Sequence, residues 1–347
     1  MENSDYSNRS YLSAIESAKY LDISVKNLHT LEKNNIIKAK KSASGQKRFD
    51  LKELKLYKKT HNRKKVEKIN YKRQNSVKVN QTLQQIIIGN SQAMKEVDTD
   101  SIHLIVTSPP YFNTKMYSNK PIKNDLGNIH NYEKWFDEIG KVWKECYRVL
   151  QPGRKIFINI MNLPIRTKNG SYRTLNLVGK TIDLCEKIGF IYKRDIIWQK
   201  TNGVKAPFGS YPYPGGILLN NMHEFILEFN KPISKNKKKY SHLTTKQKEN
   251  SKLDKDFWLK IKKSDVWIMK PQGSGDRREH IAPFPQELPY RIIKAYSFES
   301  EHILDPFMGS GIALKIAADL KRNGIGYEIN PLIAQKALKT FDNYQNI

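Results

Sequence analysis

Between residues 83 and 342, short runs of β-branched and aromatic residues alternate with amphipathic helical stretches, and no other feature constrains the fold as much. The runs fall at Gln85–Ile88, Ile102–Thr107, Lys155–Ile160, Phe190–Trp198, Phe225–Phe229, His302–Leu304 and Gly324–Tyr327. Helical spacing of apolar residues marks Tyr132–Leu150, Leu175–Ile188, Gln286–Phe298, Ile312–Lys321 and Leu332–Phe341. Alternation of this kind predicts an open α/β sheet with helices on both faces. Such sheets hold ligands beyond the carboxyl ends of their strands. The residues that follow each strand are therefore the place to look for chemistry.

Ile102–Thr107 runs straight into Ser108-Pro109-Pro110-Tyr111-Phe112. Neither proline can donate to a ladder, and each restricts the residue before it, so the strand stops in a stiff loop. One hydroxyl, carbonyls without ladder partners and an aromatic ring are then held in fixed relation. That array suits a flat heterocycle with an exocyclic amine: Ser108 and the Pro109 carbonyl accept the amine hydrogens, and Tyr111 stacks on the ring. Phe112 either assists or packs in the core. Pro-Pro-Tyr is also the kind of segment that proline-binding modules take, a reading that the apolar strand before it disfavours.

A second cluster is Asp305-Pro306-Phe307-Met308-Gly309-Ser310-Gly311, between a strand and the helix from Ile312. Glycines there let backbone approach a ligand closely, and Asp305 offers an acceptor for a ligand ammonium. After Gly324-Ile325-Gly326-Tyr327 stands Glu328, placed to accept from ribose hydroxyls. An acid where a phosphate cradle needs amides and lysine favours a cationic nucleoside over a nucleotide. His223-Glu224, ahead of the strand at Phe225, reads first as a satisfied structural pair and second as part of the pocket lining.

The amino-terminal residues 11–59 are different. Ala14, Ala18, Leu21, Val25, Leu28 and Leu31 recur at helical spacing around a turn, with Ser24 as N-cap of the second helix. A hairpin at Lys40–Phe49 and a helix carrying Leu51 and Leu54 follow. The pattern is a helix-turn-helix or another small helical bundle. Residues 60–82 are polar and basic and read as a linker, or a basic helix that tracks phosphates. The chain of 347 residues carries a net charge of +27, which points to a polyanion or an anionic surface as partner. Lys231–Lys263 alone has twelve Lys against Glu249, Asp254 and Asp256. Cys146 and Cys185 show no disulfide or metal-ligand spacing, so no metal is expected. No run of apolar residues is long enough to span a membrane, and a cytoplasmic location is expected.

Two resemblances follow from these residues. Ser17–Leu21, Ser24, Leu28–Glu32, Asn35–Ile37 and Gly45–Phe49 resemble the MerR-type winged-helix domain, which implies duplex DNA contact with the second helix in the major groove. The stretch 83–342 resembles the S-adenosylmethionine-dependent amino-methyltransferases of DNA. Ser108-Pro109-Pro110-Tyr111 looks like their catalytic motif, Asp305, Phe307, Gly309, Ser310 and Gly311 like their cofactor loop, and Glu328 like their ribose-binding acid. Ile87-Ile88-Gly89-Asn90 resembles the strand and loop near the adenine, with Asn90 where Asp is common; Ile312 stands where Thr is common. His280–Pro285, including Phe284 and Pro285, resembles the segment at the cofactor's methionine end.

The resemblance implies a Rossmann-like, doubly wound mixed sheet of class I methyltransferase type. Because the catalytic loop precedes the cofactor loop, it implies the circularly permuted beta class, with target recognition at about 199–279. Domains are expected at 1–59 (winged helix), 60–82 (linker) and 83–347 (methyltransferase). Ser in the first catalytic position goes with the N4 of cytosine in that family, Asp with the N6 of adenine. The expected activity is methylation of cytosine N4 in double-stranded DNA by base flipping, beside a cognate restriction endonuclease, by a monomer or homodimer. Adenine N6 methylation, a MerR-type regulator that senses S-adenosylmethionine, and an RNA substrate are the competing readings.

Overall fold

The computed structural model describes residues 9–21, 23–42, 45–61, 72–112, 122–166, 172–204, 206, 209–236, 239–271 and 284–342. The chain divides into two compact units, Met1–Asn70 and Tyr71–Ile347.

In the first unit, β1 (Tyr11–Ser13) leads into α1 (Ala14–Leu21), α2 (Val25–Lys33), β2 (Ala39–Lys41), β3 (Lys47–Asp50) and α3 (Leu51–His61). Ser24 starts α2 by accepting from the Asn27 N–H at 3.1 Å, so the polar residue in the turn supplies one of the helix's missing acceptors. The three strands form an antiparallel sheet in the order β1-β3-β2. Leu12, Ala18, Leu28, Phe49 and Leu54 close a core of their own.

The second unit is built on nine strands. In chain order they are β4 (Gln74–Val79), β5 (Thr82–Ile88), β6 (Ile102–Thr107), β7 (Leu150–Ile160), β10 (Ile191–Val204), β11 (Asn221–Asn230), β12 (Val266–Met269), β13 (His302–Asp305) and β14 (Asn323–Glu328). A separate hairpin comprises β8 (Leu163–Arg166) and β9 (Tyr172–Leu175). The sheet order is β12-β10-β11-β7-β6-β13-β14-β5-β4. Strands from β7 through β6, β13 and β14 to β5 run parallel, while β4, β11 and β10 introduce antiparallel pairs. The helices are α4 (Tyr132–Val149), α5 (Leu177–Ile188), α6 (Thr245–Asn250), α7 (Lys255–Lys262), α8 (Glu287–Tyr296), α9 (Ile312–Asp319) and α10 (Pro331–Asp342).

Both faces of the sheet are covered, as the strand sequences require. On β6, Ile102 and Ile105 enter the core with α4 and α5, whereas Leu104 and Val106 enter the core with α8, α9 and α10. A parallel strand buried on both sides reads as an unbroken apolar run for this reason. On α4, Trp135, Ile139, Val142, Cys146 and Val149 recur at intervals of four and three and are fully buried, while Asn131 caps the helix by accepting from the Lys134 N–H at 2.9 Å. Both cysteines are buried and free, with thiols pushed up by burial.

One expected boundary needs correction. Residues 74–79, placed in the basic linker, form edge strand β4, whose register with β5 pairs Val79 with Thr82; Val79 is buried where the preceding residues are mostly exposed. The region 199–279, expected to hold target recognition, carries the end of β10, all of β11 including the expected strand Phe225–Phe229, and β12, which pairs in parallel with Ile197–Lys200. Lys231, read as part of a DNA-facing lysine run, is buried, its Nζ held by Asp100 Oδ1 at 2.6 Å and the Tyr147 carbonyl at 2.7 Å.

Candidate active site

Chain direction sets the site. From β6 the chain turns through α4 to β7 on one side, and from β13 through α9 to β14 on the other, so the strand order reverses between β6 and β13. Two adjacent strands whose connections leave in opposite directions leave a crevice at their carboxyl ends. Ser108 follows β6 directly and Pro306 follows β13 directly. Both loops open onto one cavity of ≈ 390 Å³.

Asn90, Ser108, Pro109, Pro110, Tyr111, Phe284, Phe307, Gly309, Ser310 and Glu328 all line that cavity. Asp305, Pro285 and Gly311 do not line it; His280–Pro283 lie outside the described residues. Phe112 is buried, edge-on to Tyr132 and Trp135 at 5.6 and 6.3 Å, and so packs in the core.

The glycine-loop side is organised by carboxylates bound to backbone. Asp305, 1% exposed, accepts from the Thr107 hydroxyl at 2.7 Å and the Phe307 N–H at 3.0 Å, tying the end of β6 to the turn after β13. Burial pushes its carboxyl up to about 7, against both hydrogen bonds. Glu328 accepts from the Gly309 N–H at 3.0 Å and the Asn330 N–H at 2.8 Å, and burial pushes it up to about 7 as well. Gly309 has φ +53° and Gly311, capping α9, has φ +80°, conformations that glycine adopts without strain. Asn90 closes a local turn, its Oδ1 accepting from the Gln92 N–H at 2.9 Å.

The diproline side carries a network that the sequence did not announce. Ser108 Oγ donates to the Asn159 carbonyl at 3.1 Å. Tyr111 donates its hydroxyl hydrogen to Glu224 Oε2 at 2.5 Å, and Asn159 Nδ2 donates to the same oxygen at 2.6 Å and lies 3.2 Å from the Tyr111 oxygen. Lys200 Nζ, also in the cavity wall, sits 2.7 Å from Glu224 Oε1. Glu224 is thus a wall residue, the second of the two readings of His223-Glu224, while the His223 ring meets Phe225 edge-on at 5.1 Å. Asn159 and Lys200 were missed because each sits inside or at the end of an apolar strand, where sequence pattern reports burial but not what a polar side chain faces.

An open mixed sheet with helices on both faces and a deep crevice at its strand switch point is the architecture of the class I methyltransferases. Residues 102–339 match the DNA methylase family of N6- and N4-methyltransferases, and the chain belongs to that family. It is similar to the type II methyltransferase M.MjaI of Methanocaldococcus jannaschii, with 33% identity over 291 residues that cover 74% of this chain and 91% of the relative. Among solved structures it resembles TTHA0409 of Thermus thermophilus in its complex with S-adenosyl-L-methionine: 30% identity, TM-score 0.59, 75% of this chain and 93% of that one. PvuII DNA methyltransferase, cytosine-N4-specific, shares the fold at 17% identity and TM-score 0.54, covering 75% of this chain and 90% of its own. No helix of the described residues is long and apolar enough to cross a membrane.

Proposed function

We propose that this chain is a site-specific DNA methyltransferase of the permuted beta class that methylates the exocyclic N4 amine of cytosine, and that its chemistry is carried by Ser108–Tyr111. S-adenosylmethionine is its cofactor. The cavity fits that group by the chemistry of its donors: a wall carboxylate, Glu328, for ribose hydroxyls, a glycine turn for close approach, and no described lysine or arginine on the glycine-loop side to favour a phosphate. Asn90 is assigned to the adenine end, Phe284 and Pro285 to the methionine end, and Asp305 to holding the Phe307–Gly311 turn in place. When bound, the cofactor supplies an electrophilic methyl group on a sulfonium.

The observation that carries the reading is the direction of the Ser108 hydroxyl. Its hydrogen is committed to the Asn159 carbonyl and one lone pair faces Asn159 Nδ2 at 3.5 Å, so the other lone pair remains for a donor in the cavity. An aromatic amine is a weak nucleophile because its lone pair is delocalised into the ring. Ser108 Oγ and the Pro109 carbonyl, by accepting its two hydrogens, draw the nitrogen towards tetrahedral geometry. Tyr111, its hydroxyl pinned to Glu224, offers a fixed ring for stacking. No strong base is required first, since the methylated ammonium is acidic enough to lose its proton to a neighbouring oxygen. Near-attack geometry needs separations of about 3–3.5 Å, which requires the base to leave the duplex.

The first unit is assigned to duplex DNA as a winged-helix module, with α2 offered to the major groove and the β2–β3 hairpin as wing; its helix-turn-helix order and basic hairpin support this. A cognate restriction endonuclease is the expected genetic partner. Incubating mixed-sequence plasmid with protein and S-adenosylmethionine, digesting to nucleosides and identifying the product by mass tests the proposal. N4-methylcytosine is expected; N6-methyladenine as the sole product overturns the base assignment, and no methylated nucleoside overturns the activity.

A further inference from the structure

A second cavity, of ≈ 340 Å³, lies at the opposite end of the sheet. Strand register separates the two: Lys155, in this second wall, pairs with Leu104, whereas Ser108 follows Thr107, which pairs with Ile158. Helix α8 gives the same answer, because Phe284 before it lines the catalytic cavity and Phe298 after it lines this one. Its ten residues span about 15 Å.

The wall is cationic and aromatic. Among the described residues it includes Arg154, Lys155, Lys239, Lys248, Tyr240 and Trp258, and no carboxylate. Lys155 is already held by Glu228 and Asn230. Lys239 and Lys248 have no carboxylate partner among the described residues. Arg154 is 1% exposed; its Nε donates to the His103 carbonyl at 2.8 Å and its Nη2 to Glu301, but Nη1 finds no hydrogen-bond partner among the described residues. A buried donor left unpaired is destabilising, so such a group calls for an explanation. The Tyr240 ring lies over this guanidinium, 5.3 Å from its central carbon, in the same cavity wall, and Tyr240 itself is 39% exposed. Trp258, 57% exposed, adds an apolar face that a lone phosphate has no use for.

We propose that this cavity is a second, non-catalytic nucleotide site, which takes a phosphate between Lys239, Lys248 and Arg154 and stacks a base on Trp258 or Tyr240. The nucleotide is either free or a unit of a nucleic-acid strand; the chemistry is the same. Part of the lysine run then serves the amino end of the sheet, not the mouth of the catalytic cavity.

Equilibrium dialysis of tritiated thymidine diphosphate against the full-length protein, with S-adenosylhomocysteine saturating the catalytic cavity, tests this. Binding is expected to persist with that ligand present, to weaken at least about ten-fold in Lys239→Glu/Lys248→Glu and about five-fold in Trp258→Ala, while S-adenosylhomocysteine affinity stays unchanged in both as a check on folding. A twelve-nucleotide single strand that displaces the label at lower concentration than unlabelled diphosphate identifies a strand as the source; a strand that displaces it less well identifies a free nucleotide. No binding of either probe at millimolar concentration, displacement by S-adenosylhomocysteine, equal displacement by inorganic phosphate, or affinity unchanged in the variants each overturns the proposal.

Discussion

The two ends of the nine-stranded sheet line their cavities with opposite kinds of polar side chain. At the carboxyl end, the acids Glu224 and Glu328 line a cavity, with Lys200 as a cation already paired. At the amino end, arginine and lysines line a cavity without a described carboxylate. Acceptors suit a cationic methyl donor and the donor hydrogens of an amine, whereas donors suit phosphate. The strands fix where the two cavities stand, and the loops at each end decide what each can hold.

The sharpest way to break this contrast is at Tyr111. Tyr111→Ala removes both the stacking ring and one of the three partners of Glu224 and should lower methyl transfer about 100-fold, from stacking worth about 1–3 kcal/mol together with the lost hydrogen bond. Tyr111→Phe keeps the ring and should lower it about ten-fold. Steady-state kinetics on plasmid DNA read both, and equal losses would remove the stacking role. Next in size, Glu328→Ala should weaken S-adenosylmethionine about 30-fold by calorimetry, within the about 1.5–3 kcal/mol of a charged hydrogen bond, while Lys239→Glu/Lys248→Glu leaves that affinity alone. A fall in both variants would merge the two cavities into one electrostatic unit.

The acids also set a pH dependence. Burial raises the Glu328 carboxyl to about 7 from an ordinary value of 4.5, so the group is protonated below neutrality. An acceptor for ribose hydroxyls works better ionised, and cofactor affinity should therefore rise up to about ten-fold between pH 6 and 8, with Glu328→Gln flattening the profile. Without cofactor the sign reverses. The folded state retains protons that the unfolded chain releases between pH 4.5 and about 7, so this group's contribution to stability is present at low pH and lost as pH rises through that window. Thermal melts of the wild type and Glu328→Gln across pH 5–8 (a range of about three units around that value) check it: a wild-type melting temperature that rises relative to the variant would contradict the assignment.

How much of this was legible depends on what each residue reports. The carboxyl ends were readable because Ile102–Thr107 meets two prolines and His302–Asp305 meets a glycine turn, and such punctuation survives any tertiary context. Strand β4 was not readable: Gln74, Asn75, Ser76 and Lys78 are edge residues whose outward side chains look like linker. β12 has four residues, too few for periodicity to rise above noise. Glu224, Asn159 and Lys200 lie on neighbouring strands of the sheet, and only register brings them to Ser108 and Tyr111. Lysine counts misled for a related reason, since Lys231 is buried in an ion pair while Lys239 lines a cavity.

The smallest expected effect concerns the first unit. Deleting residues 1–70, a cut that spares β4, should leave the methylated site and turnover at saturating DNA unchanged and make DNA binding less steeply dependent on salt, read from affinity across a salt series. An unaltered salt slope would remove the unit's DNA role.

The account rests most heavily on Ser108 as the acceptor that readies the amine. Its direct test is the single-turnover rate of methyl transfer by Ser108→Ala at saturating cofactor and DNA. A fall of about 100-fold, with cofactor affinity within about two-fold of wild type, is the predicted result; a rate equal to wild type would contradict it.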